Sequence, residues 1–380
     1  MVMASKYDVA VIGGGLAGLA ASILLQQKGY AVILFEKENY PHHKVCGEYI
    51  SLESHGFLSG LGLPLNEMDL PMINKLLLTA PNGNAFTTRL PLGGFGISRF
   101  ALDHRLAQLA EGFGVRLLTN TRVDDVFFET DLFRVMYRGQ EITAKTCLGS
   151  FGKRSNLDVK WQRPFSSKSK KGLDNYIGVK YHIQTNAWPP DTIGLHNFEN
   201  GYCGISKIEG DRYCLCYLTT AAALKNHGNS IPQMEQQLLC RNPHLKKIFS
   251  ESEFQDEFPV TISQISFSKK STVEKHILML GDAAGMITPL CGNGMSIALH
   301  TAKIAADVTA RFLNRELTRD RMESIYRKEW EGHFARRLAT GRILQRFFGS
   351  ERKSNFFVKT FRNLPLLARP VVKMTHGESF

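Results

Sequence analysis

The residues that could bind a cofactor most directly lie near the start of the chain, where Gly13, Gly15 and Gly18 form a G-x-G-x-x-G pattern. An apolar run over residues 9–12 precedes this pattern and indicates a buried strand. Residues 16–28 follow with apolar positions at helical spacing. A strand, a glycine turn and a helix in this order predict the dinucleotide-binding βαβ unit.

Each glycine of this turn has a physical task. Gly13 allows the tight turn from strand to helix, Gly15 lets the backbone approach a pyrophosphate, and Gly18 lets helix and strand pack closely. The helix begins at Leu16 and Ala17, so its N-terminus offers free N–H groups and the positive end of its dipole. We therefore predict that a pyrophosphate binds at this turn.

A second apolar run, residues 31–35, ends at an acidic residue. Glu36 stands at the tip of this second strand and is followed by Lys37. A carboxylate in that position can accept hydrogen bonds from a ribose diol. A G-x-G-x-x-G pattern alone is a weak signal, but strand, helix, strand and acidic tip together argue against an ordinary glycine-rich turn. We count Glu36 and Lys37 among the cofactor-binding candidates.

The second stretch whose residues could bind a cofactor is residues 278–299. A short apolar strand leads into Gly281 and Asp282, and Asp282 can accept a hydrogen bond from a hydroxyl group. A glycine loop and a long alanine-rich helix follow, and their backbone N–H groups could face an electron-rich ring or carbonyl. The loop residues that we predict to do so are Gly292, Asn293, Gly294 and Met295.

The composition limits the kind of protein. Of the 380 residues, 43% are hydrophobic and 22% are charged, as is typical of a soluble globular protein with two or three domains. No apolar run reaches about 18 residues, so we expect no membrane span. The first strand begins within about seven residues of Met1, which argues against a signal peptide. Seven cysteines without the spacing of a disulfide framework favour reduced thiols and a cytoplasmic location.

The net charge of +12 is concentrated at the C-terminus. Residues 311–380 contain sixteen Lys and Arg against seven Asp and Glu. Such a basic tail can indicate nucleic acid, an anionic membrane surface, an acidic carrier protein or a solvated helical face. Because no nucleic-acid motif accompanies it, we expect no nucleic acid. We favour the solvated face, with a weak membrane or carrier-protein contact as the alternative.

The predicted elements give an interleaved α/β architecture. Residues 99–112 and 232–249 are predicted as helices, while most of 73–98 and 176–219 is predicted as antiparallel strands. The three parts are a nucleotide-binding domain (1–72, 97–155 and 268–312), a substrate domain (73–96 and 156–267) and a C-terminal helical segment (313–380).

Together, the two glycine motifs resemble those of flavoproteins with the aromatic hydroxylase fold. This superfamily includes the group A flavin monooxygenases, the geranylgeranyl reductases and the flavin-dependent halogenases. The resemblance implies a Rossmann-like FAD-binding domain with an interleaved antiparallel β-sheet domain. It further implies that the first motif and Glu36 bind the ADP half of FAD, that Asp282 binds the ribityl chain, and that residues 292–295 lie against the isoalloxazine. The family arginine that opens a helix matches Arg99, and Val123 matches the position whose backbone meets adenine.

The loop P-H-H-K-V-C-G-E, residues 41–48, is similar to the P-x-x-K-x-C-G-[EG] loop of the geranylgeranyl reductase branch. The resemblance implies that Lys44 pairs with the pyrophosphate and that Cys46, with Gly47, lies near the flavin ring. Cys46 could equally be a small loop residue without chemistry. We expect His42 and His43 to be solvated, because no third ligand suggests a metal.

Three departures from the family bear on the reaction. The middle motif, usually G-A-D-G, here begins at Gly149 as G-S-F-G-K-R-S, so the acidic residue is replaced and two cations follow. This puts the usual nicotinamide docking in doubt, although Lys153 and Arg154 could attract a phosphate of the reductant. The G-Y-x-W-x-x-P strand of the reductases stands as G-Y-C-G-I-S from Gly201, without Trp or Pro. The W-x-W-x-I-P motif of the halogenases is absent.

We therefore predict an FAD-dependent oxidoreductase with NADPH or NADH as reductant. The first hypothesis is a monooxygenase that hydroxylates or epoxidises a hydrophobic or aromatic small molecule. The alternative is a geranylgeranyl reductase-like enzyme that reduces the C=C bonds of an isoprenoid or polyene, and a halogenase or a non-enzymatic flavin binder is less favoured. No side chain can be assigned as acid or base. The candidates for the pocket lining are Tyr176, Tyr181, Phe198, Tyr202 and Tyr217, although most of them could be plain core residues.

Overall fold

Two β-sheets organise the chain, and the computed structural model describes residues 5–166, 174–286, 293–345, 349–364 and 377–380. The strands are β1 Ser5–Ile12, β2 Val32–Phe35, β3 Tyr49–Ser51, β4 Met72–Thr79, β5 Ala85–Gly96, β6 Arg116–Leu118, β7 Val123–Glu129, β8 Leu132–Tyr137, β9 Gln140–Gly149, β10 Asp174–Gln184, β11 Thr192–Phe198, β12 Gly201–Lys207, β13 Tyr213–Thr220, β14 Glu253–Phe254, β15 Val260–Ser266, β16 Val273–Glu274 and β17 Ile277–Met279. The helices are α1 Leu16–Gln27, α2 His55–Gly60, α3 Arg99–Gly112, α4 Asn156–Lys160, α5 Ala221–Asn226, α6 Ile231–Gln237, α7 Pro243–Glu251, α8 Gly294–Leu313, α9 Arg319–Gln345 and α10 Glu351–Asn363.

The first sheet contains the predicted βαβ unit. Its central strand β1 pairs in parallel with β2 on one side and β9 on the other, so that Val9 stands beside Val32 and Thr146. β6 and β17 extend the parallel part, and β7 and β8 continue from β9 in antiparallel order. Because β1 is covered on both faces, residues 9–12 are all buried, which explains their unbroken apolar run.

The second sheet is mainly antiparallel. Its strands follow the order β14, β10, β13, β12, β11, β4, β5 and β3, with β15 added beside β10. Only the β11–β4 pair among those described is parallel. β3 comes from inside the predicted segment 1–72 and pairs with β5, so the chain enters this sheet earlier than residue 73. The domain boundaries themselves stay a prediction.

The two faces of the second sheet differ in chemistry. One face packs against α5, α6 and α7 through an apolar cluster that includes Leu215 and Met234. The other face carries Lys180 and His182 of β10, and His182 stands opposite Cys214 of β13. Since successive side chains of a strand point to opposite faces, the polar side chains gather away from the apolar cluster.

Two helices of the C-terminal segment attach to different sheets. α9 buries Tyr326 and Phe334 in the core of the first sheet, and the Tyr326 hydroxyl donates to the carbonyl of Met279 in β17. α10 buries Val358 and Phe361 against the second sheet. The tail that we predicted as helical is helical in its described parts, and it contacts both sheets.

The helix predicted over residues 232–249 is wrong as a single element, because the chain breaks it between α6 and α7. Asn242 caps α7, where its Oδ1 accepts from the His244 N–H at 3.0 Å. Pro243 has no N–H to donate and suits the first turn of a new helix. The Asn242 amide group donates to Thr79 Oγ1 at 3.0 Å, which anchors the break to β4.

Several sequence features lie outside the described residues. They are Gly292 of the second motif, residues 167–171 of a serine- and lysine-rich run, and six apolar or proline residues of the C-terminal segment: Phe347, Phe348, Pro365, Leu366, Leu367 and Pro370. Within the described ranges, no helix has both the length and the apolar character that crossing a membrane would require.

Candidate cofactor site

The glycine turn between β1 and α1 has the geometry that its glycines require. Gly13 has a φ of 102°, and a Cβ placed there would lie 2.6 Å from the Ser150 carbonyl oxygen. A Cβ on Gly18 would overlap the Gly13 carbonyl oxygen. In contrast, the protein atom nearest to a Cβ on Gly15 would be Arg99 Nη2, at 3.8 Å. The turn is therefore closed beneath Gly13 and Gly18 and open above Gly15.

The side chain of Ser150 fastens this turn to the end of β9. Its hydroxyl donates to the carbonyl oxygens of Ile12 and Gly13. Ser150 belongs to the altered middle motif. Its observed contacts support the glycine turn.

Glu36 is fixed at the opening of the same turn. Its Oε2 accepts from the Gly14 N–H at 2.8 Å, and its Oε1 accepts from the Glu38 N–H at 3.0 Å. The Tyr40 hydroxyl donates to the Gly14 carbonyl. The carboxylate is thus held beside the turn, as a ribose-binding group requires. Lys37 is exposed, and its Nζ lies 3.5 Å from Glu38 Oε1.

The start of α1 is open to an anion. Gly15 is the N-cap residue, and it has no side chain that could accept from the N–H groups of the first turn. Leu16 and Ala17, which open the helix, are both buried. The free N–H groups and the helix dipole therefore point to the open side of Gly15.

Two cations meet one buried carboxylate close to this open side. Arg99 Nε and Nη2 donate to Asp103 Oδ1 and Oδ2 at 2.7 and 2.8 Å, and Lys44 Nζ donates to Oδ2 at 2.9 Å. Burial alone would raise the pKa of Asp103, but Arg99 and Lys44 hold it below its ordinary value. The ionised group carries one positive charge in excess, which suits a pyrophosphate. Lys44, which the family resemblance pairs with pyrophosphate, has Asp103 as its partner in this structure.

The loop formed by residues 44–48 is held by the second sheet. Three of its carbonyl oxygens each accept a hydrogen bond from a side chain of that sheet. Lys180 Nζ donates to the Lys44 carbonyl at 3.2 Å, Cys214 Sγ to the Cys46 carbonyl at 3.1 Å, and Ser206 Oγ to the Gly47 carbonyl at 3.0 Å. The sheet therefore fixes the loop through its backbone.

Glu48 completes this attachment from inside the loop. Its Oε1 accepts from Lys180 Nζ at 2.5 Å and from the Arg99 N–H at 2.8 Å, while its Oε2 lies 2.6 Å from His182 Nε2. Burial would raise the pKa of Glu48, but His182 and Lys180 lower it below its ordinary value. Sequence analysis missed Lys180 and His182, although two polar residues at alternate positions of an apolar strand are a detectable signal.

The histidines of the loop are not solvated, so that expectation is wrong. Both are half-buried, and the ring of His43 stacks on Phe100 at 4.6 Å and meets the ring of His182 edge-on at 5.2 Å. Burial lowers the pKa of His42 and of His43. Neutral rings suit this packing against an aromatic side chain.

Cys46 and two cysteines of β13 lie in the same region. Cys46 Sγ accepts from the Glu48 N–H at 3.5 Å, and burial raises the pKa of its thiol. Cys214 and Cys216 face the loop, whereas Leu215 between them packs in the apolar cluster of the other face. Burial raises the pKa of Cys216 to about 12. The three thiols are therefore neutral, and no group of metal-ligating side chains occurs among the residues that the structure describes.

The second motif approaches the site from β17. Gly281 has a φ of 54°, and its N–H donates to Thr301 Oγ1 at 3.0 Å. Burial raises the pKa of Asp282, and Lys270 Nζ donates to the Asp282 carbonyl at 2.7 Å. Burial also lowers the pKa of Lys270 to about 8. Asp282 is thus half-buried close to an amine, which fits a group that bonds a hydroxyl.

The helix after this loop, α8, begins at Gly294, so two of the four predicted loop residues belong to its first turn. Asn293 is the N-cap of α8, Gly294 is its first residue, and Met295 is buried. Gly292, the remaining predicted contact of the isoalloxazine, lies outside the described residues. At the other end of the site, Val123 opens β7, and its carbonyl accepts from Asn156 Nδ2 at 2.9 Å.

Three of the five aromatic candidates for the pocket lining are core residues, which is the alternative that the sequence left open. Tyr181, Phe198 and Tyr217 lie in the cluster packed on α5–α7. The two tyrosine hydroxyls donate to the buried Glu235 at 2.9 and 2.7 Å. Their positions on the strands put them on the face opposite the loop. Tyr202, in contrast, packs on the loop-facing side.

The two cations of the middle motif are directed toward β15. Lys153 donates to the Ser263 carbonyl, and Arg154 donates to Gln264 Oε1. They therefore join the end of β9 to the second sheet. A contact with a phosphate of the reductant stays a prediction.

Comparison with known proteins adds two family models. Residues 8–45 match the model described as FAD binding domain, which covers β1, the glycine turn, α1 and Glu36. Residues 211–339 match the model described as squalene epoxidase, which runs from β13 through the second motif into α9. The two models together include both glycine motifs.

Curated relatives extend over most of the chain. The digeranylgeranylglycerophospholipid reductase 2 of Methanothermobacter thermautotrophicus is 26% identical over 341 residues, which cover 88% of this chain and 85% of the relative. The conditioned medium factor receptor 1 of Dictyostelium discoideum is 23% identical over 373 residues, which cover 90% of this chain and 71% of the relative.

Solved structures show the fold. A geranylgeranyl bacteriochlorophyll reductase-like protein from Thermoplasma acidophilum matches with a TM-score of 0.79 and 19% identity, over 99% of this chain and 97% of its own. The flavin-dependent brominase Bmp2 matches with a TM-score of 0.79 and 20% identity, over 98% and 93% of the two chains. The predicted α/β fold and the prediction of an FAD-dependent oxidoreductase are confirmed.

Proposed function

We propose that this FAD-dependent oxidoreductase acts on a carbon–carbon double bond of a hydrophobic, isoprenoid-type substrate and reduces it, with NADPH or NADH as the electron donor. The observation that carries the proposal is the thiol-bearing loop 44–48, which the second sheet holds against the FAD site. The digeranylgeranylglycerophospholipid reductase 2 of Methanothermobacter thermautotrophicus resembles the chain over 88% of its length. The sequence alone favours oxygenation, whereas this relative supports reduction.

The residues present fit FAD. The open side of Gly15, the α1 N-terminus and the Arg99–Lys44 pair suit the pyrophosphate, and Glu36 suits the ribose. When bound, FAD supplies the hydride transfer that the side chains of a protein do not perform. The task of this chain is then to orient the cofactor, to exclude water and to hold a proton source nearby.

An apolar wall next to the second FAD motif supports a hydrophobic substrate. On the loop-facing side of the second sheet, Leu218, Ile265 and Phe267 form a buried cluster with Tyr202. Met286, which follows the Gly281–Asp282 turn, packs against this cluster. The wall and the cofactor motif are therefore continuous, as binding of an apolar chain beside the flavin requires.

Cys46 is the thiol that the loop contributes. Its thiol is neutral because burial raises its pKa, so it suits a proton donor better than a nucleophile. The hydrogen bond from Cys214 to the Cys46 carbonyl fixes the backbone at this position. In this proposal Cys46 holds the proton that the second carbon of the double bond receives.

The test is turnover of an isoprenoid lipid by the purified flavoprotein under argon, followed by mass spectrometry. A product that has gained two hydrogen atoms per double bond supports the reductase. NADPH and NADH are compared by the rate at which each bleaches the flavin absorbance. Absence of a reduced product, despite a bleached flavin, would overturn the proposal.

Epoxidation of the same kind of double bond is the second candidate. Its support is the match of residues 211–339, which include the apolar wall and the second motif, to the squalene epoxidase model. The two candidate reactions share the class of substrate, but only the epoxidation requires O₂. Incorporation of one atom from ¹⁸O₂ in air, with no product under argon, would favour the epoxidase. A flavin that neither reductant bleaches would favour a non-enzymatic flavin binder.

A further inference from the structure

A buried ionic cluster joins the 44–48 loop to the second sheet, and neither glycine motif accounts for it. It consists of Glu48, Lys180 and His182, whose side chains are 0%, 1% and 3% exposed. Glu48 is far in sequence from the other two residues, since 132 positions separate it from Lys180. The cluster forms only when β10 meets the loop.

Stability alone does not explain such a cluster. Removing an ion from water costs several kcal/mol, and well-packed apolar side chains in the same place are often as stabilising as a buried ion pair. Unlike apolar packing, the hydrogen bonds of charged groups fix the positions of particular atoms of their partners. The atoms that this cluster fixes indicate its role.

Those atoms belong to the backbone of the two cations at the cofactor site. Glu48 Oε1 accepts from the Arg99 N–H at 2.8 Å, at the first residue of α3. Lys180 Nζ donates to the Lys44 carbonyl at 3.2 Å. The side chains of Arg99 and Lys44 then converge on Asp103. The cluster thus fixes the backbone of both cationic residues, and Asp103 fixes their charged groups.

The backbone of Glu48 shows that the surroundings impose this arrangement. Its φ of 54° lies in the left-handed region, which is costly for a residue with a side chain. Glycine would avoid that cost, but glycine would lose the carboxylate that binds Lys180, His182 and the Arg99 N–H. The carboxylate is therefore the group that this position is built around.

We propose that His182 and Lys180 are positioning residues for FAD, which act through Glu48 to hold the Arg99–Lys44 cation pair where it meets the cofactor's pyrophosphate. The inference depends on the FAD site and does not depend on whether the substrate is reduced or epoxidised. It assigns a binding role to two side chains of the second sheet.

The test is the affinity of the apoprotein for FAD, measured by flavin fluorescence without substrate or reductant. His182→Leu should weaken the binding about tenfold, which is about 1.4 kcal/mol, because Glu48 loses the partner that fixes the carboxylate facing the Arg99 N–H. His182→Gln, which keeps an N–H donor, should recover most of the affinity. If His182→Leu fails to fold, Lys180→Met makes the same test, because it loses the bond to the Lys44 carbonyl at similar side-chain length.

The matched control is His196→Leu. His196 is a fully buried histidine of the same sheet, and its Nδ1 lies 2.9 Å from Thr79 Oγ1. This variant should lose stability and keep its FAD affinity. A His182→Leu protein that binds FAD as tightly as the wild type, or a His196→Leu protein that binds it equally poorly, would overturn the proposal.

A double-mutant cycle separates positioning from general destabilisation. If His182 acts through Arg99, His182→Leu should cost little further affinity in an Arg99→Ala background. Additive losses would contradict the proposal. A wild-type protein that binds FAD but leaves isoprenoids unreduced would refute the proposed reaction and leave this inference standing.

Discussion

At the scale of single residues, the carboxylate of Asp103 holds the side chains of both Arg99 and Lys44. The carboxylate is fully buried, and it stays ionised because Arg99 and Lys44 hold its pKa below the ordinary value. Ser150 and Glu36 have comparable roles at the glycine turn, where one fastens the turn from below and the other holds its N–H from above. The cofactor site thus depends on a few side chains with several partners each.

Replacing Asp103 with Asn should destabilise the protein by about 3 kcal/mol, because the nearly buried Arg99 loses its counter-ion. Urea denaturation at neutral pH measures the change. The control is Glu141→Gln, which removes an equally close carboxylate partner from the more exposed Arg134 and should have little effect. Similar losses in the two variants would contradict the account of Asp103.

Substitution of Gly15 separates cofactor binding from folding. Because nothing lies within 3.8 Å of its Cβ position and its φ is −80°, Gly15→Ala should change the stability of the apoprotein by less than about 0.5 kcal/mol. The added methyl group occupies the side where the pyrophosphate approaches, so FAD affinity should fall at least about tenfold.

Thermal denaturation of the apoprotein and fluorescence titration with FAD make both measurements. Gly18→Ala is the matched comparison, since its Cβ would overlap the Gly13 carbonyl and should prevent folding. A Gly15→Ala protein with normal FAD affinity would show that the cofactor does not approach this residue.

At the scale of elements, the loop 44–48 and strand β10 act as one unit. The loop motif and the βαβ unit could be predicted from sequence because their signals are local: glycine spacing, an apolar run and helical periodicity. The partner strand could not, because Lys180 and His182 meet Glu48 only through the tertiary fold. For the same reason the alternation along β13 showed that Cys214 and Leu215 face apart, but not which of them faces the loop.

The ion pairs of this unit predict an acid-sensitive stability. The pKa of Glu48 is lowered in the folded state, so its contribution is complete above the ordinary glutamate pKa of about 4.3 and is lost as the pH falls. The difference in unfolding free energy between wild type and Glu48→Gln should therefore stay constant from pH 7 to about 5.5 and shrink below that. Denaturant titrations across this range test it, and a difference independent of pH would show that Glu48 titrates normally.

At the scale of the whole molecule, the segments of the chain cross repeatedly between the two sheets, so that the FAD site draws on residues from both. The α/β class and the two motifs were predictable, because each motif brings its own strand and helix. The distribution of the C-terminal helices was not, since their apolar stripes fit either sheet. In the structure, α9 packs on the first sheet through Tyr326 and Phe334. α10 packs on the second sheet through Val358 and Phe361.

The outer side of α10 gives a prediction about the position of the molecule in the cell. Phe356 is 70% exposed, between the exposed cations Lys353 and Lys359. Such a surface suits contact with anionic lipid, from which an isoprenoid substrate would enter. Phe356→Ser should reduce the binding to vesicles of anionic phospholipid in a sedimentation assay, without a loss of stability.

The control for this prediction is Phe258→Ser. Phe258 is 74% exposed and precedes β15, away from the basic tail. It should leave vesicle binding unchanged. Equal binding by wild type and Phe356→Ser would favour the solvated face that the sequence first suggested.

The packing of α9 on the second motif has a consequence for how the protein is made. A Cβ on Gly285 would lie 3.2 Å from Trp330 and 3.1 Å from Leu338, so α9 backs the turn that follows Asp282. During synthesis the glycine turn emerges early, but its counterpart gains this support only after α9 has left the ribosome. Since chains fold from the N-terminus during translation, the βαβ unit forms first and waits for the rest of its site. We therefore expect stable FAD binding only once α9 has been synthesised, late in the production of the chain.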